Sequence, residues 1–114
     1  MQDAIIQLKI LGQMPDSLTD NPAEYLVGKY EELLAKVKTP LTEEEVEVLI
    51  SIFPDSTMYE VEWTLLHLVE TYCEIELITK YRKLISKCPS EEWHDTMKTR
   101  LDNWEKKNGK HIRI

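Results

Sequence analysis

Apolar residues recur along this chain at the spacing of helices. In "NPAEYLVGKYEELLAKV", Leu26, Tyr30, Leu33 and Val37 mark one face, widened by Val27 and Leu34. Asn21 reads as its N-cap, with Pro22 in the first helical position and Glu24 completing a capping box; "KTP" stops it. The signature repeats in "LTEEEVEVLISIF". There Thr42 caps, Glu45 follows three residues on, and Val46, Leu49, Ile50 and Phe53 form the stripe before Pro54. "DSTMYEVEWTLLHLVETY" starts a third helix from Asp55 or Ser56. "EIELITKYRKLISKC" buries Leu77, Tyr81, Leu84, Ile85 and Cys88, with Glu76 one turn before Lys80 on its polar side. "SEEWHDTMKTRLDNWEKKNG" runs from a Ser90 cap to Gly109, striped by Trp93, Met97, Leu101 and Trp104. Ile6, Leu8 and Ile10 alternate with polar residues as in a strand, yet no second strand is evident to pair with one. We read residues 2–11 as a helix, because a lone strand leaves its backbone groups unsatisfied. The expectation is all-α: five or six helices with short connections, antiparallel neighbours, and either a HEAT-like stack of hairpins or a closed bundle. A chain of 114 residues is one domain's length, 1–114.

Within residues 56–72, Met58, Val61, Leu65, Leu66, Leu68, Val69, Tyr72 and Cys73 share about half of a helical wheel turning roughly 100° per residue. His67 lies opposite, beside Glu60, Thr64 and Thr71 and flanked by Trp63 and Glu70. It belongs to a second face. Glu62 falls inside the apolar arc and must find a partner or reach the helix edge. On the second face, Trp63 and His67 either pack against a neighbouring helix layer or join Glu60 and Glu70 in an exposed recognition face.

Charge sharpens this picture. The net charge is −7, and between Lys38 and Lys80 there are ten acids and no lysine or arginine. From Lys80 onward, ten bases face five acids. An acidic centre repels nucleic acid and anionic membranes and steers cationic partners inward; the plainer reading is a solvated surface kept for solubility. No apolar run approaches the roughly 20 residues of a membrane span. The start "MQDAIIQLKILGQMPD" lacks the basic region and cleavage site of a signal peptide. A cytoplasmic location is the default expectation.

Catalytic and metal chemistry find little support. A di-metal bundle site needs repeated Glu-x-x-His pairs; this chain has one pair in reverse order, His67 and Glu70. No phosphate loop, nucleophile elbow or spaced His/Asp/Ser set occurs. Cys73 and Cys88 lack zinc-ligand spacing and read as small buried hydrophobes, with an opportunistic disulfide as the alternative. We expect no enzyme activity, no metal and no cofactor.

"EVEWTLLHLVE", followed by an amphipathic helix, "CPSEEW" and "RLDN", resembles the small all-helical immunity proteins of bacterial polymorphic-toxin and contact-dependent growth inhibition systems. The nearest group is the one numbered thirty. The resemblance spans about residues 42–103, on Glu60, Trp63, Leu66, His67, Leu68 and Glu70, then Pro89, Trp93, Arg100 and Asn103. It implies an inhibitor that binds a cognate toxin domain inside the producing cell and blocks it without chemistry of its own. The acidic centre fits a basic toxin, a nuclease before other classes. Candidate contacts are Glu43, Glu44, Glu47, Asp55, Glu60 and Glu70, with Trp63 and His67 as anchors. Two rivals remain: an acidic helical adaptor of a host protein, and a nucleic-acid mimic, whose carboxylates would be spaced like duplex phosphates.

Overall fold

A computed structural model describes residues 1–18, 21–74 and 77–108. Among these residues the chain forms six helices and no strand: α1 (Asp3–Leu11), α2 (Glu24–Lys36), α3 (Glu43–Ser51), α4 (Val61–Glu70), α5 (Ile78–Ile85) and α6 (Glu91–Asn108). The ambiguous first segment is a helix, as read. Ile5 and Leu8 enter the core, and Gly12 closes α1 at φ 79°, a conformation that favours glycine.

Alternate helices pack side by side: α1 on α3, α3 on α5, and α2 on α4, with α1 on α2, α3 on α4 and α5 on α6 as successive pairs. This is a stack of three helical hairpins in two layers, α1–α3–α5 and α2–α4–α6, with extents of 52 × 28 × 19 Å. Side-chain links show that helices within a layer run parallel. Glu43 meets Lys80 and Glu47 meets Lys87 across α3 and α5; Trp63 meets Trp93 and Glu70 meets Arg100 across α4 and α6. The three turns inside the hairpins therefore lie at one end of the stack. The two connections between hairpins lie at the other.

Caps explain several boundaries. Thr42 and Glu45 form the expected reciprocal box, Glu45 N donating to Thr42 Oγ1 at 3.2 Å and Thr42 N to Glu45 Oε1 at 3.0 Å. Ser90 caps α6 by accepting from Trp93 N at 3.2 Å. Two expectations fail. Asn21 does not cap α2: the helix starts at Glu24 after an extended Ala23 that offers no side-chain acceptor, and Asn21 instead takes a left-handed φ of 44° in the turn. The third helix does not start at Asp55 or Ser56 but at Val61, after left-handed Tyr59 (φ 49°) and Glu60 (φ 69°).

The reason is where the carbonyls of residues 52–57 go. Ile52 O accepts from Met14 N at 2.9 Å and Phe53 O from Gln13 Nε2 at 3.0 Å. Thr57 O accepts from Ser17 N at 2.8 Å. From the opposite flank, Asp55 O accepts from Ser90 Oγ at 2.8 Å and Ser56 O from Trp93 Nε1 at 2.6 Å. Carbonyls engaged by both neighbouring hairpins are not free to start a helix. Glu62 closes the same turn from inside, its carboxylate accepting from Met58 N at 2.8 Å and from Thr57 Oγ1. That is the partner its place in the apolar arc demanded. Expectations for Glu76 and Gly109 fall outside the described residues.

Candidate partner-binding site

The parallel layers sort the candidate residues into separate regions. Glu43, Glu44 and Glu47 lie exposed on α3, and two of them are paired: Glu43 with Lys80 at 3.9 Å and Glu47 with Lys87 at 3.2 Å. Bases remote in sequence thus fold back onto the acidic centre. Glu70, at the end of α4, accepts from Arg100 Nε and Nη2 at 2.7 and 2.8 Å. This bidentate bond, reinforced by charge, raises the guanidinium pKa further. His67 and Thr64 are exposed on α4. Asp55, Glu60 and Trp63 stand at the hairpin-turn end.

Trp63 combines both sequence readings. Its ring meets Trp93 edge-on at 5.2 Å, and Trp93 stacks on buried Phe53 at 5.4 Å, yet 42 % of Trp63 remains exposed. Tyr59, 54 % exposed, shares a shallow depression with Pro22, Glu24 and Val27 of the first hairpin. Tyr25, in the first turn of α2, is 81 % exposed. Three large aromatics therefore face solvent where the layer α2–α4–α6 presents its helix N-termini. Acids share this end: Glu24, Asp55, Glu60, Glu91 and Glu92 are all exposed there.

No lysine or arginine occurs in residues 12–28, 52–66 or 88–97, the stretches that build this end. Lys87, within the third turn, pairs with Glu47 at 3.2 Å. Acids also suit helix N-termini for their own sake, because the helix dipole stabilises them by about 0.3–1 kcal/mol each. Tyr25 and Tyr59 have no such account, and the packing of Trp63 on Trp93 does not explain the part of its ring left in solvent.

Residues 19–110, most of the chain, match the family described as immunity protein 30. The chain belongs to the immunity protein 30 family. Neither curated proteins nor solved structures gave a match. The family match reaches further toward the N-terminus than residues 42–103 and takes in α2, while α1 precedes it. Four of the residues that carried the resemblance now have a structural task. The Trp63–Trp93 and Glu70–Arg100 contacts set the parallel register of α4 and α6 in this family member.

Sequence reasoning missed that Tyr25, Tyr59, Glu91 and Glu92 share one end of the stack with Asp55, Glu60 and Trp63. Tyr25 carried a signal: it stands off the Leu26–Tyr30–Leu33–Val37 stripe and so had to face outward. Nothing local revealed that three separate turns share one end. Among the described residues no group of three His, Cys, Asp or Glu could hold a metal ion, and no helix is long and apolar enough to cross a membrane. Both cysteines are free and half-buried; burial first, then the charge of Glu70, pushes the Cys73 thiol up to about 11.

Proposed function

We propose that this immunity protein binds a cognate toxin domain in the cytoplasm through its hairpin-turn end, and blocks it by occupation without chemistry of its own. The observation that carries the reading is the coincidence of Tyr25, Tyr59 and Trp63, all exposed, with five exposed acids and stretches of chain that lack lysine and arginine. Exposed aromatic anchors with charged residues at the same end are the composition of an energetic centre and rim in a protein interface. The complementary surface is basic, as a nuclease's substrate-binding surface must be to hold phosphates. Steered association suits an inhibitor that must reach its target before damage accumulates.

The test is co-expression with the toxin encoded alongside it, followed by association kinetics at several salt concentrations. The paired reversal Glu60→Lys and Glu92→Lys should slow association by about tenfold at low salt and flatten its salt dependence. Reversing Glu44 and Glu47 on α3 should leave both nearly unchanged. The opposite ranking would move the interface to the outer face of α3. Loss of neither would show that acidity serves solubility alone.

A further inference from the structure

A second recessed site lies away from the hairpin-turn end, between the end of α4, α5 and the middle of α6. It is a cavity of about 260 Å³ lined by Glu70, Cys73, Tyr81, Arg100, Leu101 and Trp104. Its size is informative. An apolar cavity of roughly 150 Å³ already holds benzene, whereas sites for drug-sized ligands start near 300 Å³. One substituted ring is what this space accommodates.

The chemistry of the lining narrows the occupant. Tyr81 is only 2 % exposed and its hydroxyl makes no hydrogen bond within the described residues, yet no fully buried side-chain polar atom there lacks a partner. The hydroxyl therefore keeps some contact with solvent, and the charged and titratable groups that act on it, Glu70, Cys73 and Arg100, are all of the lining, so it is placed to donate to or accept from whatever enters. Leu101 and Trp104 supply apolar surface. At the rim, the Arg100 guanidinium and Glu70 carboxylate neutralise each other through two hydrogen bonds at 2.7 and 2.8 Å. With that pair made, no net charge is left at the rim to attract a charged ligand or repay its desolvation. A neutral one needs neither. Burial also keeps the Cys73 thiol protonated at neutral pH, so it adds a soft uncharged wall.

We infer that this cavity binds a neutral aromatic ring carrying one hydrogen-bonding group, of the phenol or indole type, with the polar tip meeting the Tyr81 hydroxyl. The inference does not depend on the hairpin-turn end being the toxin interface. The ring can come from a free small molecule or from a tyrosine or tryptophan side chain of a partner.

The experiment titrates p-cresol, toluene and benzoate separately into the full chain, followed by amide and indole nuclear magnetic resonance shifts. p-Cresol should give saturable shifts at residues 70–73, 81 and 100–104, and benzoate should not. Tyr81→Phe, which removes no hydrogen bond within the described protein, should weaken p-cresol roughly 2- to 12-fold and leave toluene unchanged. Cys73→Met, which fills part of the space, should weaken both. Absent or unsaturable shifts, shifts scattered over the surface, or a Tyr81→Phe effect equal for toluene and p-cresol would overturn the assignment. Repeating the titration on the toxin complex separates the two sources. Competition between p-cresol and the toxin domain places a partner's side chain in the cavity, and undisturbed binding to the complex assigns it to a free small molecule.

Discussion

Glu62 sits 1 % exposed inside an apolar face, held by Met58 N and Thr57 Oγ1. Its role is to satisfy the inner wall of the turn that precedes α4. Glu62→Ala strands both donors and should destabilise the fold by about 1–3 kcal/mol in urea unfolding, with Glu62→Gln losing less because one acceptor survives. Glu45 behaves differently. It completes the α3 capping box and also accepts from Gln2 N at 3.0 Å, tying α1 to α3. Burial pushes its pKa up, but the hydrogen bonds from Gln2 and Thr42 outweigh that and leave it below the usual carboxylate value. A depressed folded-state pKa means that the stabilisation is complete above the unfolded value, about 4.3, and is lost as pH falls through the folded one. The stability gap between the native chain and Glu45→Gln should therefore be constant from pH 6 to 8 and close below about pH 4.

At the scale of elements, α4 is the central test of the packing. Val61, Leu65, Leu66 and Val69 are buried, so Leu66→Ala should cost about 2–5 kcal/mol. A change below about 0.5 kcal/mol would mark Leu66 as a surface position. Ser90 links two elements at once: it caps α6 and donates to Asp55 O at 2.8 Å. Ser90→Ala should cost about 0.5–2 kcal/mol for the cap, measured by the shift in urea midpoint. Such caps were legible in sequence wherever the rule is local, as at Thr42 and Ser90. Asn21 obeyed the same local pattern and failed, because Ala23 is extended and the helix begins later. The false first turns of α4 had the same origin: Met58 and Val61 keep helical spacing through a turn whose carbonyls serve distant donors. The all-helical fold was thus readable from periodicity. Of the proposed site, Asp55, Glu60 and Trp63 were readable too, but its assembly was not, because Tyr59, Trp63 and Glu92 come to one end only through parallel packing within a layer.

For the molecule as a whole, stacking the helices redraws the linear charge map. The base-free interval between Lys38 and Lys80 receives Lys80, Lys87 and Arg100 from elsewhere in the chain, while the hairpin-turn end stays acidic. The paired reversals at Glu60 and Glu92 against Glu44 and Glu47 are the measurement that separates these two maps. Stacked repeats ordinarily fray one unit at a time, since each touches only its neighbours. Here the middle turn lends its carbonyls to Gln13, Met14 and Ser17 on one flank and to Ser90 and Trp93 on the other. Opening either outer hairpin would leave acceptors of the central one exposed, so the three should melt together. Native-state hydrogen exchange should then report a common opening free energy for the buried amides of α1, α3, α4 and α6, rather than a gradient along the stack. An inhibitor built this way would present its toxin with a surface that is either wholly formed or wholly absent.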